Sequence, residues 1–151
     1  LPDGGLTVST HIYQDDIVRT VSSNLLNARS FGQAYNLAQA EVISLRAFVL
    51  KAAEILNRKV ELVDIPTGVL DKAGLGTSFS PLSTRRPFIL DTQKARRDLS
   101  FSSTPFEAWM RKKVQWFVEA YEGGPPENYR LREKELDVIR SYKKAVDSIT
   151  K

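Results

Sequence analysis

The sequence contains no cysteine and a single histidine among its 151 residues. The first absence excludes a disulfide framework and thiolate metal sites, and it fits a cytosolic protein. The second leaves a metal centre short of ligands, because such sites draw two or more His, Cys or carboxylate groups at regular spacing. No apolar run approaches the roughly 20 residues that span a bilayer, and no signal-peptide pattern opens the chain. A cytoplasmic protein with no membrane partner is therefore expected. Internal repeats and low-complexity tracts are also missing, which excludes a solenoid and a disordered tail. What is present is ordinary for a globular protein: 42% hydrophobic and 26% charged residues in a length that suits one domain. The net charge of +4 is spread among acidic neighbours, as in Arg130-Leu131-Arg132-Glu133-Lys134-Glu135. Only Arg85, Arg86, Lys94, Arg96 and Arg97 approach a cluster, so nucleic-acid binding is not the first expectation.

Periodicity places the elements. Thr10 to Tyr13 reads as a short strand. Asp15 and Asp16 then stand where carboxylates cap a helix and meet its positive end, and Ile17, Val18, Val21 and Leu25 follow at helical spacing over 15–28. Residues 30–32 read as a turn and 34–37 as a strand. Ser44 is a good N-cap for a helix whose stripe is Leu45, Phe48, Val49, Ala52 and Leu56, and Asn57 tolerates the left-handed conformation at its end. Residues 59–65 alternate polar and apolar as in a strand with one wet face. Residues 66–84 read as a loop with one helical turn near 69–73. Phe88 to Leu90 is a short extended piece, and Asp91 or Thr92 caps a helix to about Leu99. Thr104 and Glu107 form a capping-box pattern around Pro105. The helix they start carries Phe106, Trp109, Met110, Val114, Phe117, Val118 and Tyr121 at i, i+3, i+4 spacing, and Gly123-Gly124-Pro125-Pro126 ends it. Trp109 and Trp116 read as packing residues. A charged helix with a thin apolar stripe closes the chain over about 129–149.

Chemistry-bearing patterns are scarce. A dinucleotide needs a Gly-rich turn from a strand into a helix, where backbone can approach the pyrophosphate. The one Gly-x-Gly, Gly74-Leu75-Gly76, lacks the third glycine and follows no strand. His11 reads as a strand histidine with a hydrogen-bond partner or solvent access. No nucleophile, base or metal set emerges, so no catalytic and no metal-binding residue is assigned.

The segment Arg85-Arg86-Pro87-Phe88-Ile89-Leu90-Asp91-Thr92-Gln93-Lys94-Ala95, followed by Leu99-Ser100-Phe101 and Pro105-Phe106, resembles the closing segment of extended short-chain dehydrogenase/reductases, the NAD-dependent sugar-nucleotide epimerases and dehydratases. His11-Ile12-Tyr13-Gln14-Asp15-Asp16-Ile17-Val18 resembles that family's strand and Asp-led helix, and Tyr35-Asn36-Leu37 its next strand. The 44–56 helix and the 60–66 strand follow in the family's order, about 110 residues in all by pattern alone. The family's catalytic pair is a Tyr with a Lys four residues on. Here Tyr13, Tyr35, Tyr121, Tyr129 and Tyr142 are followed at that distance by Ile17, Gln39, Pro125, Glu133 and Val146, so no tyrosine qualifies.

The resemblance implies an α/β (α+β) unit: a small mixed sheet of three or more short strands with four or five helices. It would be the C-terminal substrate-binding lobe without its Rossmann half, and a first residue other than Met agrees with an excised piece. Residues 1–126 would form the lobe. Residues 127–151, the charged helix, would pack on it or on a partner. In the family an Arg before Pro binds the substrate's diphosphate, which suits a guanidinium's fork of donors; Arg86 matches, with Arg85 as its weaker neighbour. A second arginine, seven residues before the helix Asp, is replaced here by Ser9. The chain itself would hold no cofactor and catalyse nothing alone; NAD(P) is implied for the full-length parent. Implied partners are the missing N-terminal Rossmann domain, a nucleotide-sugar-like substrate and a second copy in a homodimer. Two alternatives belong to other classes: an RNA-binding or assembly protein on the same fold, towards which Ser9 and the basic charge lean, and a lobe serving mainly oligomerisation.

Overall fold

The computed structural model describes residues 1–76, 86–124 and 131–149. Its sheet is small. Strand β1 (Val8–Ser9) pairs antiparallel with β2 (Ile43–Ser44), Val8 opposite Ser44 and Ser9 opposite Ile43. On its other side Ser9 bridges Phe88 in parallel, and at a separate edge Pro2 bridges Ile65 in parallel. The pairing is thus mixed, as expected, but shorter than the sequence pattern implies. No strand forms over 34–37, and of 59–65 only Ile65 enters a bridge. Alternation reports which side chains face the core; a ladder also needs a neighbouring backbone, and beside 59–65 only the first three residues run close enough. The strand expected at 10–13 lies earlier, at Val8–Ser9.

Among the described residues six α-helices carry the rest: α1 (Gln14–Asn24), α2 (Leu45–Ile55), α3 (Thr67–Lys72), α4 (Gln93–Leu99), α5 (Phe106–Ala120) and α6 (Arg132–Ile149). The single turn expected near 69–73 is the short α3. Its end is a Schellman motif: Gly74 adopts φ 69°, its N–H meets Asp71 O at 2.9 Å, and the Leu75 N–H meets Leu70 O at 2.8 Å. The Ser44 hydroxyl accepts from Ala47 N–H and caps α2, and Asn57 sits at φ 50° just past the helix. Asp91 Oδ1 accepts from Gln93 N–H at 2.8 Å and so starts α4.

The core gathers where α1, α2 and α5 meet. Tyr13, Phe106, Trp109 and Met110 are buried, with Ile43, Phe48, Ala52, Ile55 and Val114 packed against them. Phe106 meets Trp109 edge-on at 5.3 Å, and Tyr13 stacks on the other side of Trp109 at 6.3 Å, geometries that suit the ring quadrupoles. Trp109 therefore packs as expected. Trp116 does not enter the core: it is 53% exposed and touches the Tyr121 ring.

Two helix starts depart from expectation. Asp15 and Asp16 do not cap α1; Tyr13 occupies that place and its side chain makes no capping bond. Thr104 and Glu107 do not form a capping box, and Pro105 stands one residue before the first helical residue, with no side-chain cap of its own. Thr104 turns to Asp16 instead, and Glu107 pairs with Arg111. The Phe106 N–H is met by Glu41 Oε1 at 3.0 Å, a carboxylate 65 positions earlier in the chain. A remote anion takes the local cap's role at the positive end of α5.

Candidate functional site

Arg86 leads into the chain that lies beside β1. The Phe88 N–H donates to Val8 O at 3.1 Å and the Thr10 N–H to Phe88 O at 2.9 Å, while Thr10 Oγ1 accepts from Leu90 N–H at 3.3 Å. Parallel register then sets Arg86 level with Thr7, two residues before the bridge. Pro87 supplies no N–H to the ladder and holds the residue before it out of the helical region. Arg86 is exposed at this edge. Arg85, the weaker candidate, lies outside the described residues.

Ser9, where the resembling family carries its second arginine, occupies the bridge to Phe88 itself. The two positions expected to grip a diphosphate are therefore separated by two residues across that bridge. Only one carries a guanidinium. Ser9 Oγ lies 3.2 Å from His11 Nε2, and the imidazole rests 5.3 Å from the Phe48 ring. Burial lowers the His11 pKa below its ordinary value, so the ring is neutral near pH 7. Ser9 and the neutral His11 ring thus lie together, with Arg86 two residues before the bridged Phe88. Such groups can bind an anion with hydroxyls attached.

Lys94, Arg96 and Arg97 have partners within the chain. Lys94 Nζ donates to Gln33 Oε1 at 2.9 Å and Ala34 O at 3.1 Å and lies over the Tyr35 ring. Arg97 pairs with Asp98 at 2.7 Å, and Arg96 Nε donates to Thr92 Oγ1 at 3.1 Å. They fasten α4 and its surroundings, and form no shared basic face.

Sequence reasoning missed the most buried charge. Asp16 is fully enclosed. Its Oδ1 accepts from Thr104 Oγ1 and Arg19 Nη2, both at 2.7 Å, and its Oδ2 accepts from Thr104 N–H at 2.8 Å. Burial alone would raise its pKa, but the hydrogen bonds from the Thr104 hydroxyl and N–H, with the Arg19 guanidinium, outweigh it and hold the carboxyl below its ordinary value. A charge so fully spoken for binds α1 to the start of α5. The pattern Asp-Asp at a helix start hid this role, because capping needs the same residues. A similar link joins Trp109 Nε1 to Gln39 Oε1 at 3.0 Å, with the Gln39 N–H on His11 O at 2.7 Å.

The Gly74-Leu75-Gly76 turn does not fit a dinucleotide. It follows the C-terminus of α3, the negative end of the helix dipole, where cations rather than phosphates are favoured. The Lys134 ammonium of α6 lies there, 2.9 Å from where a Gly74 Cβ would stand. Among the described residues no group of three or more His, Cys, Asp or Glu could hold a metal ion. No helix among them is long and apolar enough to cross a membrane.

Solved structures share this fold. UDP-glucuronic acid 4-epimerase from Bacillus cereus, in complex with NAD, aligns with a TM-score of 0.59 and 15% identity over 80% of this chain and 34% of that one. The Bordetella bronchiseptica enzyme WbmF, with NAD+ and UDP, aligns at 0.55 and 20% identity over 98% and 36%. UDP-glucose 4-epimerase from Thermotoga maritima, with UDP-glucose, aligns at 0.56 and 19% identity over 79% and 34%. No protein-family model and no curated protein matches the sequence. The chain thus has the fold of about a third of the length of these enzymes, and the fold likeness falls on the same group as the resemblance read from the sequence.

Proposed function

We propose that this chain is the C-terminal, substrate-binding lobe of an NAD(P)-dependent enzyme acting on a nucleotide sugar, an epimerase or dehydratase, and that it catalyses nothing by itself. The observation that carries this reading is the parallel bridge between Ser9 and Phe88, which brings the chain just after Arg86 alongside β1. The fold shared with UDP-sugar epimerases over about a third of their length supports it. The rest of such a parent, a Rossmann half, would supply the Gly-rich turn, the NAD(P) and the Tyr-Lys pair. In this lobe Arg86 would neutralise phosphate charge, with Arg85 as its neighbour. Ser9 and His11 would offer hydrogen bonds where a second guanidinium is absent, so the grip on a diphosphate would be weaker than a two-arginine clamp. Residues 1–126 are the proposed lobe and 127–151 its charged terminal helix, which reaches the lobe through Lys143 and Glu61. A cytoplasmic location goes with this reading, as does a homodimer.

Calorimetry tests it. UDP-glucose should bind this chain weakly, and Arg86→Ala should reduce that affinity about tenfold or more, while NAD gives no heat. Tight NAD binding, or UDP-glucose binding indifferent to Arg86→Ala, would overturn the assignment.

A further inference from the structure

A second surface, sharing no residue with the Arg86 edge, lies between the start of α1 and the middle of α5. Tyr13, Gln14, Asp15, Lys112, Lys113 and Trp116 line an open cavity of about 420 Å³, within the roughly 300–1,000 Å³ of small-ligand sites. Its walls differ in chemistry. Lys112 and Lys113 place their ammonium groups 5.9 and 5.6 Å from the Tyr13 ring centroid, a cation–π arrangement that brings both positive charges to the same ring. Adjacent helix residues ordinarily diverge, so a common anchor for both cations is an organised feature rather than a charged face. Trp116 forms another wall and leaves about half of its surface open to solvent. Asp15 and Gln14 add carboxylate and amide groups at the rim. The Asp15 carboxylate accepts a hydrogen bond from the Tyr13 phenol, which is the main cause raising that phenol's pKa, so one carboxylate oxygen is turned inward.

We propose that this cavity is a binding site for a nucleoside phosphate, the phosphate held by Lys112 and Lys113 and the base stacked on Trp116. Two ammonium groups beside an open indole match a ligand that joins an anion to a flat ring, because stacking on an aromatic side chain suits any base and lysine serves as a point charge for phosphate. Gln14 and Asp15 stand at the rim with donor and acceptor groups for the edge of the base. The site goes beyond the substrate lobe proposed above, which needs none of these six residues.

Adenosine monophosphate is the probe, titrated into the full chain and followed by Trp116 fluorescence and by calorimetry. Saturable binding is expected, with adenosine and inorganic phosphate each at least tenfold weaker because each lacks half of the ligand. Lys112→Gln with Lys113→Gln should raise the Kd at least tenfold, and so should Trp116→Ala, while Trp116→Phe keeps most of the affinity. Circular dichroism verifies that each variant is folded; should the double variant unfold, Lys112→Gln alone is read, with a several-fold loss expected. Binding of adenosine monophosphate no tighter than that of phosphate, or undiminished in folded lysine variants, overturns the proposal. The Arg86 reading is tested by UDP-glucose and Arg86→Ala, so either assignment can fail while the other stands.

Discussion

The two halves of α5 are built from similar residues and meet opposite fates. In the first half Phe106, Trp109 and Met110 are buried, and the backbone entry is held by Glu41 and, through Thr104, by Asp16. In the second half Trp116, Phe117 and Val118 are more than half exposed, and Trp116 and Phe117 meet Tyr121 at 5.7 and 4.9 Å. Helical periodicity is the same in both halves. What differs is the neighbour: α2 and Tyr13 cover the first half, and the aromatic residues of the second find mainly one another. An apolar stripe states where a helix can be buried, and polar anchors decide which part is.

The sharpest way to break this contrast is to remove one indole from each half. Trp109→Ala should lower the unfolding free energy by about 3–5 kcal/mol, the usual range for a buried aromatic, and it leaves Gln39 Oε1 without its donor. Trp116→Ala should stay within about 0.5 kcal/mol, as exposed substitutions do. Chemical denaturation of the two variants side by side gives both values; equal losses would mean that the second half is as well packed as the first.

A smaller effect isolates the polar anchor. Asp16→Asn exchanges a carboxylate that accepts three hydrogen bonds for a neutral amide, and bonds to charged groups contribute about 1.5–3 kcal/mol each way, so a loss of about 2 kcal/mol at pH 7 is expected. The sign with pH follows from its lowered pKa. The unfolded chain binds the proton more readily, so this stabilisation is complete above the ordinary Asp value of about 3.9 and fades as pH falls through the lower folded value. Acid titration followed by circular dichroism should therefore show the wild-type chain losing its advantage over Asp16→Asn below about pH 4.

A smaller loss than that of Asp16→Asn is expected for Glu41→Ala, about 1 kcal/mol, comparable with loss of an N-cap or of a charge at a helix N-terminus. Thermal unfolding checks it. A change confined to noise would leave the Phe106 N–H served equally well by water.

How much of this was legible in the sequence depends on the kind of signal. Helix α2 was read to within a residue because its cap, stripe and left-handed exit are all local: Ser44, Phe48 and Asn57. Helix α5 was found by its stripe, but its anchoring was not, since Glu41 and Asp16 reach it from 65 and 88 positions away. The box-like Thr104 and Glu107 satisfied a local rule that tertiary partners overrode. Strands fared worst, because alternation over 59–65 carries no information about a neighbouring backbone. Ser100 sits at φ 53°, a left-handed exit from α4 that no reading of the sequence anticipated. At the candidate site, Arg86 is singled out by its Pro and the helix behind it. The cavity of Lys112, Lys113 and Trp116 is not, because its remaining wall comes from Tyr13, Gln14 and Asp15, nearly a hundred positions earlier.

The bond from Asp16 to Thr104 also has a temporal side. While the chain is being synthesised, α1 and its Arg19 exist long before Thr104, which supplies the other two hydrogen bonds to the enclosed carboxylate, and Tyr13 exists before the indole that stacks on it. At roughly 5–20 residues per second, about 5–20 seconds separate the emergence of one partner from that of the other. For that interval Tyr13 has no completed core beside it, and contacts so distant in sequence close slowly. The latch that unites the finished fold leaves its amino-terminal half unclosed until Thr104 leaves the ribosome.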